Sequence, residues 1–326
     1  MRRLRHFPPV RRNRGYSFRG FLRLLLILSF LGFLAPIYFH FRLRRTSQMR
    51  SRMCGWIENP PLVCAHGGDS SKAFPNTMEA YRIALDSQVD CIEIDVSRSL
   101  DGVLVALHDR DLQRLSGNAT AKVGYFSMNE INNLDGAFTF SKKSQKHTVP
   151  MVEDALKVGG VIDRCFMNFV SRSVKQVIVD AKVGPPLHEK GLAADILSIV
   201  NKTQCINCVI WAKSDTLGRD VIRLSQDIMV GYIVMNDLST GARTSLLRMR
   251  GAKIVGVYHP LINERLVTIL HSAGKKVYAW TVDDEDSMRR MLFERVDNII
   301  TGHPSLLQQV MSNVKTQCQR EGFSLD

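Results

Sequence analysis

Eight short apolar runs recur along this chain, most of them separated by enough residues for a helix, and that rhythm limits the possible folds. The runs are Leu62–Ala65, Cys91–Val96, Val103–Leu107, Gln176–Ala181, Cys208–Ala212, Met229–Val234, Lys253–Val257 and Lys276–Thr281. Short, almost continuously apolar segments predict strands covered on both faces, as in a parallel sheet. Helical patterning falls between them at Thr77–Ser87, Leu187–Asn201, Arg219–Leu224 and Glu264–Ala273. Over the 269 residues from Glu58 to Asp326 this alternation predicts an α/β fold, a (β/α)8 TIM barrel. Such barrels typically take ~250 residues. The connection from His108 to Val174, with Gly117, Gly124, Gly136 and Gly159-Gly160, predicts a loop-plus-helix insertion over the barrel mouth.

Charge separates the N-terminus from the barrel. The formal net charge is +13, yet residues 1–57 hold thirteen arginines, no lysine and no acid. Beyond them 31 bases balance 31 acids, so the body is neutral and a nucleic-acid partner loses its electrostatic basis. The arginines bracket an apolar run of sixteen residues, Leu24–Phe39, which widens to residues 21–41 with Arg23 and His40 near its ends. That predicts a membrane-spanning helix, since snorkelling flanks extend a run slightly short of the usual ~20 residues. Bulky, basic residues follow it (Tyr38-Phe39-His40-Phe41-Arg42), unlike the small residues of a signal-peptidase site, so an uncleaved signal anchor is expected. Seven arginines precede the span and five follow closely, which places the N-terminus in the cytosol by a narrow margin. Two sequons, Asn118-Ala119-Thr120 and Asn201-Lys202-Thr203, add to a single-pass type II reading with the barrel lumenal or extracellular. The expected organisation is a basic tail over 1–20, an anchor over 21–41, a basic linker over 42–60, a barrel over 61–310 and a tail over 311–326.

The chemistry concentrates between Pro61 and Asp111. His66 and His108 directly follow two of the apolar runs, and Glu93 and Asp95 lie two apart in a third. Residues i and i+2 of a strand share a face, so Glu-x-Asp aims two carboxylates at one spot. Two imidazoles near a carboxylate pair suit metal-assisted acid/base chemistry.

These residues resemble the motifs of the glycerophosphodiester phosphodiesterase family, H-R-G, P-E-N-T, E-x-D and D-G-x-x-V-x-H-D. Here they read His66-Gly67-Gly68, Phe74-Pro75-Asn76-Thr77, Glu93-Ile94-Asp95 and Asp101-Gly102 through His108-Asp109. Val149–Leu156 resembles the family's I-P-T-L-E-E-x-L, Val179-Asp180-Ala181-Lys182 its strand ending E-x-K, Val277–Val282 its W-T-V and Val296–Thr301 its V-D-x-I-I-T. The resemblance implies a phosphodiesterase that converts glycerophosphodiesters to glycerol 3-phosphate and an alcohol. It implies a divalent metal, Mg²⁺ or Ca²⁺, on Glu93, Asp95 and Asp180, and His66 and His108 as acid and base in either order. Lys182 would bind the phosphate, and Trp280 would wall the site or meet a choline-like head group. In the family the attacking hydroxyl is commonly the glycerol 2-hydroxyl, which gives a cyclic phosphate. A lysophospholipase D-type action on lysophospholipids is the alternative, as is a silent barrel serving as a membrane-tethered binding module.

The departures lie in the same motifs. Gly67 replaces the H-R-G arginine, Pro75 the P-E-N-T glutamate and Gly302 the aspartate after I-I-T, while Asp180 shortens the E-x-K glutamate. Three carboxylates still suffice for a hard cation completed by water and phosphate oxygens. A related spider-venom phospholipase D branch also lacks the P-E-N-T glutamate. The missing arginine removes bidentate phosphate recognition.

Seven cysteines complete the inventory. Cys64 and Cys91, inside apolar runs, are expected as small buried side chains. Cys205 and Cys208 have no second pair to complete a zinc site, so a disulfide or structural thiols are expected there.

Overall fold

The computed structural model describes residues 18–134, 149–157, 174–237 and 240–320. The sequence divides into two units, residues 1–51 and 52–326. In the first, helix α1 begins; it runs from Phe18 to Cys54 with Pro36 inside it. Its stretch Gly20–Arg45, 26 residues, is long and apolar enough to cross a membrane. The stretch expected as a linker is therefore helical as far as Cys54, without an acid in the segment.

The second unit contains nine strands in one sheet: β1 Leu62–His66, β2 Cys91–Arg98, β3 Leu104–Ala106, β4 Gln176–Ala181, β5 Cys208–Ala212, β6 Met229–Val234, β7 Ile254–Tyr258, β8 Lys276–Trp280 and β9 Asn298–Thr301. Eight are parallel staves in the order β1-β2-β4-β5-β6-β7-β8-β9, and the pairing of β9 with β1 closes the barrel. The expected (β/α)8 barrel is therefore present, with two changes of membership. The run Val103–Leu107 is not a stave: its core, β3, pairs antiparallel with β2, Val96 opposite Ala106. Only a tight turn through Gly102, at φ +83°, separates the two, whereas a parallel crossover needs about a dozen residues. The eighth stave is β9, a four-residue strand inside the V-D-x-I-I-T motif.

The helices that matter for the site start at well-made caps. Helix α2, Met78–Asp86, is capped by Thr77, whose hydroxyl accepts from the Ala80 amide. Helix α3, Asp109–Ser116, is capped by His108 itself. Helix α4 is Met128–Asn133 and α5 Val152–Leu156; α6 is Leu192–Lys202 and α7 Asp215–Leu224; α8 is Glu264–Ser272, α9 Glu285–Phe293 and α10 Pro304–Arg320. Most residues expected in a C-terminal tail belong instead to α10, whose buried stripe Leu307, Val310, Val314 and Cys318 repeats at helical spacing. Of the insertion expected between His108 and Val174, much lies outside the described residues, including Gly136 and Gly159-Gly160.

Three disulfides join described cysteines. Cys64 and Cys91 are buried, as expected, and lie opposite one another on β1 and β2, where they are also bonded to each other. Cys205 bonds Cys208, and Cys54 bonds Cys318 on α10. The last closes a loop with a sequence separation of 264. Cross-links over long loops stabilise by ~3–5 kcal/mol, chiefly through the unfolded chain. A Cys318→Ser protein should therefore melt roughly 10 °C lower at unchanged far-ultraviolet dichroism; an unchanged melting temperature would show that this bond contributes nothing.

Candidate active site

Alternation along the staves determines which side chains point inward. One packed cluster draws on every stave, for example Cys64, Cys91, Ile178, Val209, Tyr278 and Ile300, and so marks the barrel interior. Residues an even number of positions further along face the same way. They are His66 on β1, Glu93 and Asp95 on β2, Asp180 on β4 and Trp280 on β8. Lys182 and Lys213 share that parity just past the ends of β4 and β5. His66, Asp180, Lys182, Lys213 and Trp280 stand at or just past the C-terminal ends of their staves, where barrels of this kind carry their chemistry. Register sets Glu93 beside His66 and Asp95 beside Asp180 at that level. His108 arrives by another route. The β2–β3 hairpin returns the chain to the mouth, the Leu107 amide donates to the Asp95 carbonyl at 3.1 Å, and His108 follows at that level.

Asp95 is fully buried and is the most connected of the group. It accepts from Asn76 Nδ2 at 2.9 Å, while its own amide donates to Asn76 Oδ1 at 3.1 Å. The Tyr81 hydroxyl also donates to Asn76 Oδ1, at 3.2 Å, so a buried tyrosine orients the residue that orients Asp95. Asn76 sits at φ +60°, a left-handed geometry that asparagine tolerates better than most residues. Lys182 Nζ lies 2.6 Å from Asp95 Oδ1 and also pairs with Asp180. Register places Asp180 beside Asp95. His66 Nε2 is 4.0 Å from Glu93 Oε2 and 3.2 Å from Arg110 Nη2, and Arg110 Nη2 is 3.7 Å from Asp95. His108 Nδ1 accepts from the Arg110 amide at 3.1 Å. Arg110 thus touches both histidines, one through its guanidinium and one through its backbone.

The charges are strongly perturbed. Burial pushes the Glu93 carboxyl well above its ordinary value, and the charges of Asp95 and Asp180 push in the same direction. Burial acts on Asp95 too, but Lys182, the two histidines and Arg110 outweigh it and hold that carboxyl well below the usual range. Burial works against the Lys182 charge, whereas Asp180, Asp95 and Glu93 together keep it protonated above the usual lysine range. Burial lowers His66, partly offset by Asp95, and burial with Lys182 lowers His108 to about 3. Both imidazoles are therefore neutral near pH 7.

The donor atoms of His66, Glu93 and Asp95 lie within 4.8 Å of one another. Asp180 Oδ1 is buried and accepts no hydrogen bond among the described residues, and Asp95 Oδ1 is met only by the Lys182 ammonium. Buried polar atoms are normally satisfied, so an unpartnered Asp180 oxygen beside the Asp95 carboxylate and an elevated Glu93 fits a divalent cation. The sequence-predicted residues His66, His108, Glu93, Asp95, Asp180 and Lys182 thus meet on adjacent staves and their hairpin. Trp280 stands across the mouth on β8.

Three contributors escaped the sequence reading. Asn76 belongs to the stretch Phe74-Pro75-Asn76-Thr77, and nothing in a turn-forming residue announces a hydrogen bond to a strand carboxylate. Arg110 and Lys213 carried a usable signal, since each lies within two residues of a position already marked by a strand end. The departures also prove to be neighbours. Gly67 has φ +62°, and a Cβ there would meet Pro75 Cβ at 3.0 Å and the Asn76 amide at 3.2 Å. Gly67→Arg should therefore lower stability by about 1–2 kcal/mol, with no gain in phosphate affinity. Thermal melting and inhibition by glycerol 3-phosphate read the two effects; tighter inhibition in a stable variant would contradict this.

Residues 66–306 match the model of the glycerophosphoryl diester phosphodiesterase family. A glycerophosphodiester phosphodiesterase of Arabidopsis thaliana is 54% identical over 99% of this chain and 94% of its own length. A glycerophosphodiester phosphodiesterase of Caldanaerobacter subterraneus is 30% identical over 76% of this chain and 96% of its own length. Among solved structures, an Oleispira antarctica phosphodiesterase, in complex with the product sn-glycerol-3-phosphate, superposes with a TM-score of 0.63. It is 21% identical and covers 77% of this chain and 97% of its own.

Proposed function

The chain belongs to the glycerophosphoryl diester phosphodiesterase family, and on that premise we propose that it cleaves glycerophosphodiesters to glycerol 3-phosphate and an alcohol. The observation that carries the reading is the gathering of His66, Glu93 and Asp95 within 4.8 Å at the barrel mouth. His108 beside them adds to it. A silent barrel has no use for three buried carboxylates gathered at one spot with an Asp180 oxygen left unpartnered.

The metal is assigned to Glu93, Asp95 and Asp180, with Mg²⁺ or Ca²⁺ as the candidates. When bound, such an ion polarises a phosphate oxygen and offsets transition-state charge. Arg110 can only donate hydrogen bonds, so His66 Nε2 presents its lone pair toward it. That makes His66 the base that takes the proton of the attacking hydroxyl as its oxygen bonds to phosphorus. The bond from phosphorus to the alcohol oxygen breaks, and His108 supplies that oxygen with a proton. His108 Nδ1 accepts from the Arg110 amide, so the neutral ring carries its proton on Nε2, the nitrogen left to serve the leaving oxygen. Lys182 and Arg110 hold the non-bridging oxygens, the Arg110 fork standing in for the arginine that Gly67 lacks.

The barrel is assigned to the lumenal or extracellular side of a membrane crossed once by residues 21–41. Three disulfides among the described residues support an oxidising compartment, and Asn118 and Asn201 of the two sequons are exposed. Phosphorus NMR of a glycerophosphodiester incubated with the full chain and a divalent metal tests the activity. Glycerol 3-phosphate, or its cyclic form, is the expected product; release of a phosphorylated alcohol with free glycerol would contradict the assignment.

A further inference from the structure

The barrel mouth is chemically divided. Staves β1, β2 and β4 with the hairpin carry the histidines, carboxylates and Lys182. Staves β5 to β8 present a different surface, in which Lys213 follows β5, Met235 follows β6, Tyr258 ends β7 and Trp280 ends β8. Met235 and Trp280 pack on the barrel interior. The rings of Tyr258 and Trp280 lie 5.7 Å apart. Lys213 Nζ stands 5.7 Å from the centre of the Trp280 ring, and no carboxylate among the described residues forms an ion pair with it. Burial and the Lys182 charge lower the proton affinity of Lys213, which places its ammonium within the field of the catalytic half.

An aromatic wall beside a cleft is a natural receptor for a quaternary ammonium. Here the cation attracted to that ring belongs to the protein. A second cation would meet like charge a few ångströms away, whereas a hydroxyl or an anion would accept hydrogen bonds from the ammonium. We propose that Lys213, held over Trp280, selects the alcohol portion of the diester, favouring uncharged polyol or anionic groups and disfavouring cationic ones such as choline. This rests on the phosphodiesterase reading and narrows its substrate class.

The test compares glycerophosphoglycerol with glycerophosphocholine, using the full-length protein and its Lys213→Met and Lys213→Glu variants. The wild type should favour glycerophosphoglycerol in kcat/KM by on the order of tenfold, the size of one screened like-charge contact. Lys213→Met should bring the ratio near unity, and Lys213→Glu should invert it, with the change mainly in KM. A wild type that prefers glycerophosphocholine, or a ratio that neither variant moves, overturns the proposal. Calorimetric binding of the two diesters to the His66→Ala protein with divalent metal reads the same preference without turnover. Selective binding together with a wild type that releases no glycerol 3-phosphate would keep the selection and sink the phosphodiesterase reading. Turnover without selection does the reverse, and failure to bind either diester overturns the selection.

Discussion

Replacing His66 or His108 by alanine lowers glycerophosphodiester turnover by ~10²–10⁴-fold, the range expected for a general acid or base. The geometry makes the two losses separable from misfolding. His66 is the final residue of β1, and its side chain is 16% exposed at the mouth. The apolar layer below it does not need the imidazole. His108 has a second duty, because its Nδ1 accepts the Arg110 amide and caps α3. His108→Ala should therefore cost roughly 1 kcal/mol of stability in addition to turnover. His108→Asn restores a capping side chain without an acid, so it should recover the stability and leave turnover low. Turnover untouched by both alanine substitutions would remove the proposed pair.

Stripping divalent metal should have the other large effect. Loss of a Lewis acid worth several kcal/mol lowers turnover by ~10³-fold or more, and Mg²⁺ or Ca²⁺ should restore it. Asp180→Ala should mimic chelation by leaving Glu93 and Asp95 as the only assigned carboxylates. It also frees Lys182 from one of its two partners. Metal binding measured by calorimetry separates the two consequences: weakened affinity supports a ligand role, whereas normal affinity with low turnover would make Asp180 a partner of Lys182 alone. Undiminished turnover after thorough chelation would remove the metal assignment.

The catalytic half was largely legible in the sequence, and for a physical reason. Period-two alternation turns spacing into direction, so Glu93 and Asp95 could be assigned to one face, and His66 sat where a strand had to end. The barrel itself was legible because seven of its staves are short apolar runs. The exchange of Val103–Leu107 for Asn298–Thr301 shows the limit. Composition does not distinguish a hairpin strand from a stave; the six residues between Val96 and Val103, too few for a crossover, do. The Cys64–Cys91 bond could not be read, because it depends on the register of two parallel strands 27 residues apart in sequence. The division of the mouth was equally hidden. Lys213 is one residue past a strand, as His66 and His108 were expected to be, but lysine after a strand is ordinary until the barrel carries it toward Trp280.

The central claim is that this site remains a metal-dependent phosphodiesterase although Gly67 and Pro75 have replaced an arginine and a glutamate. The most direct measurement is steady-state release of glycerol 3-phosphate by the full-length protein from a panel of glycerophosphodiesters and lysophosphatidylcholine, with Mg²⁺ or Ca²⁺ and with chelator. Metal-dependent release from at least one glycerophosphodiester is expected, abolished in the His66→Ala, His108→Ala double variant. A folded protein that binds metal and yet releases nothing from any member of the panel would contradict it.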